Sequence, residues 1–279
     1  MPELPEVETT RRFIEPVLTG RLIERAEVRK PRTARRNVRP EDVAERLAGR
    51  RVERVGRRGK FILNQVEGDL TWVIHLGMSG RMQIADRGEP EAPHTNALFR
   101  TDGGIELRFV DPRTFGFVAV FTPDEMQQSG LDRVGRDALT DLPSVREIAA
   151  VFANRIPSVK SALLDQRFIA GLGNIYADEV LHRARIHPAR QIGSLDGDEI
   201  RRLHDAIVPV LRAGVAHGGT SLNDLAYLLP DGRAGEFLER LGVYGREGEP
   251  CRRCGQPIER LVIAQRSSHF CPRCQPLAD

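Results

Sequence analysis

Lysine is nearly missing from this chain. Of its 42 cationic side chains only Lys30, Lys60 and Lys160 are lysines, and the rest are arginines. A GC-rich genome is the plain explanation of the arginine excess, so the retained lysines become the informative ones. Cysteine is scarce and confined. All four cysteines fall in the last 29 residues, which excludes a disulfide framework stapling the whole fold. No run of about 18 apolar residues exists, so no membrane span is expected. The first ten residues, MPELPEVETT, are acidic and lack an apolar core, which argues against a signal peptide and for a cytoplasmic protein. Full disorder is excluded as well, because 40% of residues are apolar. The formal net charge of +3 hides an asymmetry. Residues 1–60 carry 17 cations and 10 acids, a net of +7, so the remaining 219 residues sum to −4. A basic N-terminal segment invites a polyanionic partner. The length of 279 residues suits two domains plus a small module.

Residues 5–18 read as a helix, with Pro5 at its start, acids in the first turn and Gly20 closing it. Residues 21–29 alternate like a strand. A basic loop, Lys30 to Arg39, follows, then a short helix over 40–48. Strand-like runs at 51–57, 60–66, 70–76, 97–101, 105–110 and 117–121 predict an all-β block of two packed sheets. From about 123 the spacing becomes helical, at 144–154, 159–165, 173–184 and 196–216, the last with Asp196 as its cap. Residues 218–240 form a loop too long to be simple punctuation.

The tail carries the most specific spacing, Cys251-x2-Cys254-x16-Cys271-x2-Cys274. Two knuckle-like thiolate pairs suit one tetrahedral Zn2+. A tail this short makes no core, so the metal supplies its folding energy. The residues between the pairs, 258–270, read as a β-hairpin, hence a zinc ribbon. Four protein ligands leave no open coordination position, so this zinc is a scaffold and not a catalyst.

Position 2 is proline. Removal of Met1 before a small residue exposes its nitrogen as a secondary amine. A terminal amine titrates about two units below lysine, so part of it is uncharged and nucleophilic at neutral pH. Such an amine can attack a sugar C1′ and form a Schiff base. Glu3 and Glu6 stand beside it, ready to move protons or to hold the terminus.

The string Pro2-Glu-Leu-Pro-Glu-Val-Glu-Thr closely resembles the N-terminus of the bacterial formamidopyrimidine-DNA glycosylases, the Fpg/MutM branch of the Fpg/Nei family. Further motifs recur in that family's order: Gly56-Arg-Arg-Gly-Lys60, His75-Leu-Gly-Met-Ser-Gly80, Asp111-Pro-Arg-Thr-Phe-Gly116, Leu163-Leu-Asp-Gln166, Gly171-Leu-Gly-Asn-Ile-Tyr-Ala-Asp-Glu179, Val243-Tyr-Gly-Arg246 and the zinc ribbon with Gln265-Arg266. The resemblance covers essentially the whole chain. It implies an α+β fold: an N-terminal β-sandwich with flanking helices over 1–125, a helical helix–two-turns–helix DNA-binding domain over 135–230 and a zinc-ribbon finger over 245–279.

The activity implied is a bifunctional DNA glycosylase/AP lyase of base excision repair. It excises oxidised purines, 8-oxoguanine and formamidopyrimidine, from double-stranded DNA, acts on abasic sites, and nicks by β,δ-elimination. The implied enzyme is a monomer, bacterial, cytoplasmic and nucleoid-associated through DNA. Pro2 matches the nucleophile, Glu3 the proton donor for ring opening, and Glu6 an orienter of the terminus. Lys60 matches a lysine of lesion contact and elimination, and Arg266 a phosphate grip with a part in δ-elimination. Met78, Arg113 and Phe115 match the trio that fills the void left by a flipped base, with Arg113 reading the orphaned cytosine. Lys160, Asn174, His94 and Arg155 align with further DNA contacts.

One departure is the loop Thr220 to Glu236, whose middle is unusually apolar where the family caps the everted base. The role of the basic loop with Lys30 stays open. Two other readings remain: an endonuclease VIII-like enzyme for oxidised pyrimidines, and a catalytically inactive damage-binding protein.

Overall fold

The computed structural model describes residues 1–222 and 226–277. The chain divides into two compact units, residues 1–133 with 215–238, and residues 134–214 with 239–279.

The first unit begins with α1 (Leu4–Leu18). Pro5 sits in its first turn, where a missing N–H costs nothing. Val7, Ile14 and Leu18 line its buried face. There follow β1 (Leu22–Val28), α2 (Asp42–Leu47) and seven more strands: β2 (Arg50–Arg58), β3 (Phe61–Val66), β4 (Leu70–His75), β5 (Arg81–Asp86), β6 (Thr95–Thr101), β7 (Ile105–Val110) and β8 (Phe117–Phe121). A short α3 (Pro123–Gln128) closes the run.

The strand order is β5-β7-β6-β1-β2-β3-β4-β8. β1 and β2 are joined at Leu22–Arg51 and Ile23–Arg50, and there the ladder folds over. The two halves form a β-sandwich. Their inward residues, among them Trp72 and Val118 on one side and Phe99 and Phe109 on the other, share one core with α1 and α2. Trp72 and Phe99 meet at 4.5 Å between ring centroids. β5 is absent from the sequence expectation. It pairs with β7 through all six residues, Arg81 to Asp86, yet it is short and mostly polar on one face.

The second unit contains β9 (Arg136–Asp137), α4 (Val145–Phe152), α5 (Val159–Leu164), β10 (Ile169–Ala170), α6 (Asn174–Ala184), α7 (Gly197–Ala216), which runs to its boundary, β11 (Glu259–Ile263) and β12 (Arg266–Phe270). Ser144 caps α4 by accepting the Glu147 N–H, and Asp196 accepts the Glu199 N–H at 2.7 Å ahead of α7. α6 is buried along most of its length, with Tyr176, Val180 and Leu181 fully enclosed. β11 and β12 form the expected hairpin. Among the described residues no helix is long and apolar enough to cross a membrane.

Candidate functional site

The head of α1 is where the first unit gathers carboxylates. Pro2 is buried, and Glu3 and Glu6 are each only 1% exposed. The Glu6 carboxylate accepts the Glu3 N–H at 2.7 Å through Oε2 and the Thr220 N–H at 2.7 Å through Oε1. Gly219, in the left-handed region at φ +80, lies so close that a Cβ there would stand 2.7 Å from Glu6 Oε1. Thr220 is a residue that sequence reasoning did not single out. Its partner lies 214 positions away, and no local pattern signals such a contact.

Of the loop 220–236, Asn223, Asp224 and Leu225, and with them the expected capping contacts of its middle, lie outside the described residues. Its apolar character has a physical reason in the rest. Tyr227 and Leu229 are 3% and 7% exposed. The Tyr227 hydroxyl reaches the Glu6 carbonyl at 3.2 Å and the Gly218 carbonyl at 3.3 Å. Burial, with the nearby Glu6 charge, raises the Tyr227 phenol well above its ordinary range, so it stays a neutral donor.

Lys60 is 9% exposed in the two-residue turn between β2 and β3, after Gly59 in the left-handed region (φ 56). That turn is tied to α1. Arg57 donates to Glu8 at 3.0 Å and to the Gly59 carbonyl at 2.9 Å. Burial alone would raise the Glu8 carboxyl, but hydrogen bonds from Arg11, Arg12 and Arg57 outweigh it and hold it low. Arg57 lies inside the Gly-Arg-Arg-Gly-Lys motif, which was the available signal. His75, at the end of β4, stacks on Phe117 at 5.4 Å and lies 4.7 Å from Phe61. Burial, then the charges of Lys60, Arg35 and Arg36, lowers its pKa to about 4, so the ring is neutral at physiological pH.

Met78, Arg113 and Phe115 lie on two loops locked together by Asp111. The Asp111 carboxylate accepts the Ser79 hydroxyl at 2.7 Å, the Arg113 N–H at 3.3 Å and the Gly116 N–H at 2.8 Å. The side chains above this bracket stay out: Met78 is 36% and Phe115 42% exposed, with the Arg113 guanidinium 5.1 Å from the Phe115 ring centre. His94 is exposed, with φ 64, and its carbonyl accepts the Asp111 N–H at 3.1 Å.

In the second unit Lys160 is fully buried, not on the surface. Its Nζ donates to Asp178 at 2.6 Å and to the Asn174 carbonyl at 2.9 Å. Asp178 also accepts the His269 N–H of β12 at 2.9 Å. Asn174 opens α6, and its Nδ2 donates to Ser267 Oγ at 3.3 Å, next to Arg266. Arg266 is exposed at the start of β12, after a two-residue turn in which Ala264 (φ 47) and Gln265 (φ 60) both occupy the left-handed region. Such strain in non-glycine residues persists where surroundings enforce it. Glu179 accepts N–H groups from Gly242, Val243 and Tyr244 at 2.7–3.0 Å, and burial pushes its carboxyl up against their pull. Asp178 therefore moors the zinc hairpin to α6, and Glu179 moors the 242–244 segment that leads into the module. Arg155 is exposed just beyond the end of α4.

The sulfurs of Cys251, Cys254, Cys271 and Cys274 lie within 4.8 Å of one another. Cys254 and Cys271 are 3.4 Å apart, far beyond a disulfide bond and close to the edge of a tetrahedral thiolate cage. This donor set fits one structural zinc.

A β-sandwich whose buried N-terminal turn gathers carboxylates, together with a helical unit that holds a zinc ribbon, defines a multidomain zinc-finger protein. Three family models match in chain order: the formamidopyrimidine-DNA glycosylase N-terminal domain over residues 1–118, the H2TH domain of the same proteins over 134–225, and the zinc finger found in FPG and IleRS over 248–277. The formamidopyrimidine-DNA glycosylase of Heliobacterium modesticaldum is 48% identical, over 91% of this chain and 92% of that one. That of Acidothermus cellulolyticus is 45% identical over 99% and 98%. The crystal structure of MutM (Fpg) from Thermus thermophilus matches at a TM-score of 0.87 with 42% identity over the whole of both chains. A point mutant of Lactococcus lactis Fpg in complex with a Fapy-dG-containing DNA matches at 0.90 with 32% identity over 99% and 100%. The chain belongs to the formamidopyrimidine-DNA glycosylase family.

Proposed function

We propose that this protein is a bifunctional DNA glycosylase/AP lyase of base excision repair, excising oxidised purines from double-stranded DNA and nicking the strand. The observation that carries the reading is the head of α1, where Pro2 is buried with Glu3 and Glu6 and the Glu6 carboxylate is held by two backbone N–H groups.

Once Met1 is removed, the Pro2 nitrogen attacks C1′ of the damaged nucleotide. The glycosidic bond breaks, and its electron pair leaves with the base, which takes up a proton. The nitrogen loses its proton and Glu3 protonates the ring oxygen, so the sugar opens to an iminium between Pro2 and C1′. Loss of a C2′ proton then expels the 3′ phosphate, and a second elimination expels the 5′ phosphate. Lys60 and Arg266 serve the elimination steps. Glu6 is an orienter, since its oxygens accept from the backbone.

Flipping the base costs a few kcal/mol of stacking. Phe115 and Met78 fill the gap, and Arg113 pairs with the orphaned base. Asn174 and the first N–H groups of α6 receive a phosphate beside Arg266, with Lys160 as a buried support beneath them. His94 and Arg155 give peripheral contacts. Residues 1–125 make the catalytic domain, joined by the return segment 215–238; the DNA-binding domain, expected over 135–230, is therefore cut short at 214, and 245–279 make the zinc finger, the whole acting as a cytoplasmic monomer.

The test is borohydride trapping on duplex DNA with 8-oxoguanine opposite cytosine. A covalent adduct is expected, and an extra residue ahead of Pro2 abolishes it. No adduct with any oxidised purine overturns the reading. Lactococcus lactis Fpg has been solved with an oxidised-pyrimidine-containing DNA, so oxidised pyrimidines belong in the same panel. A faster reaction there favours the endonuclease VIII-like reading. An inactive damage binder would need Pro2 and Glu3 to be lost, and both are present.

A further inference from the structure

Two arginines of the basic loop grip the backbone of the loop that carries Arg113 and Phe115. Arg32 Nε donates to the Thr114 carbonyl at 3.3 Å. Arg35 donates through Nη2 to the Phe115 carbonyl at 2.8 Å and through Nη1 to the Gly116 carbonyl at 2.6 Å. Three consecutive carbonyls are thus held from a segment 80 to 82 residues earlier. The same Nη1 lies 2.9 Å from the Arg32 carbonyl, which braces the basic loop itself. The guanidinium carbons of Arg35 and Arg36 each lie 5.4 Å from the centre of the Phe117 ring, which in turn stacks on His75.

The gripped backbone is strained. Thr114 is β-branched and sits in the left-handed region at φ 54, a conformation that persists only where neighbours over-determine it. Below, Gly77 packs so close that a Cβ would stand 2.3 Å from the Gly116 nitrogen. Asp111 fixes the loop's N–H groups, and Arg32 and Arg35 fix its carbonyls. What is left to project is the Arg113 and Phe115 pair.

A wedge pushed into a base stack is pushed back, because unstacking a step costs free energy. Its backbone must therefore not yield. A planar guanidinium fork suits adjacent carbonyls, whereas a lysine ammonium offers a point charge. We propose that Arg35, assisted by Arg32, is a positioning residue that stiffens the 114–116 backbone so that Phe115 and Arg113 can enter the duplex. This rests on the glycosylase reading. Arg35 acts through the loop and not by touching phosphate.

The experiment compares R35A, R35K, F115A and the R35A/F115A double variant. Two readouts are taken in single turnover: excision of 8-oxoguanine opposite cytosine, and the fluorescence rise of a 2-aminopurine placed beside the lesion. R35A is expected to slow both by about tenfold, the size of one net hydrogen bond from a charged donor. R35K recovers only part of it. In the F115A background the same change costs clearly less than tenfold, because only Arg113 is left for the loop to position. The salt slope of binding stays at its wild-type value. Arg35 is exposed, so R35A is expected to fold; should it not, R35K carries the comparison through the same two readouts. Wild-type rates in R35A, a full additional tenfold loss in the F115A background, or a fall in salt slope by one phosphate contact overturns the proposal. Absence of any adduct or 2-aminopurine signal in the wild type strikes the glycosylase reading instead.

Discussion

Glu6 and Lys160 are the two buried charges whose surroundings say most about their roles. Glu6 faces two backbone N–H groups, so an amide in its place turns a donor toward a donor. E6Q is expected to cost roughly 1–3 kcal/mol and to slow trapping, measured by thermal melting and by borohydride adduct formation. Lys160 is paired with Asp178 out of water. Removing one partner leaves a buried charge, so D178A is expected to destabilise the second unit by about 3–5 kcal/mol. The double variant K160M/D178N removes both charges, keeps an amide oxygen for the His269 N–H and recovers most of that stability, while DNA affinity stays low because the support under the Asn174 turn is gone. A double variant that restores affinity along with stability counts against the role given to Lys160. His75 adds a pH dependence. Its pKa falls from the ordinary 6.5 to about 4 on folding. The stability it contributes is complete above pH 6.5 and is lost as pH falls toward 4, up to roughly 3 kcal/mol. H75F is expected to flatten that part of the melting-versus-pH curve.

At the scale of elements, periodicity and punctuation carried far. The first helix, expected over 5–18, spans Leu4–Leu18, and the helix expected over 159–165 spans Val159–Leu164. The zinc hairpin follows from apolar alternation between two thiolate pairs. What stayed illegible has one cause: the decisive contacts join elements distant in sequence. Arg35 meets the Gly116 carbonyl across 81 positions, and Thr220 meets Glu6 across 214. Spacing rules see one helix turn or one strand pair and not these. Lys160 was legible as special by its rarity, but its burial was not, because the Asp178 that neutralises it lies one helix away. The zinc module gives an element-scale prediction. Stripping the metal unfolds residues 245–277 and weakens DNA binding, while the sandwich persists. Trp72, the only tryptophan, lies wholly inside the sandwich core and reports that unit alone. Its emission is expected to hold steady under chelation as affinity falls; a red shift in step with the loss of binding counts against separate stability.

For the whole molecule, charge is a matter of place and not of total. The net of +3 is small, and many arginines are spent internally: Arg57 on Glu8, Arg108 on Glu106, Arg32 and Arg35 on backbone carbonyls. Salt dependence should follow the few cations left to face a phosphate. R266A is expected to lower the slope of log affinity against log salt by about 0.9, whereas R57A leaves the slope near its wild-type value. Binding isotherms over a salt series decide this.

The first unit is also written out of order. Its chain leaves at residue 133 and returns only at 215–238 to deliver Thr220 and Tyr227 to the head of α1. During synthesis the head of α1 therefore waits for residues 215–238 to be made before Glu6 can meet Thr220 and Tyr227. A nascent chain can build most of the sandwich early, but the head of α1 lacks its Thr220 and Tyr227 partners until the return segment has emerged. Activity is therefore expected only once residues 215–238 have been made. Any fragment ending before the return segment should fold in part and remain chemically silent.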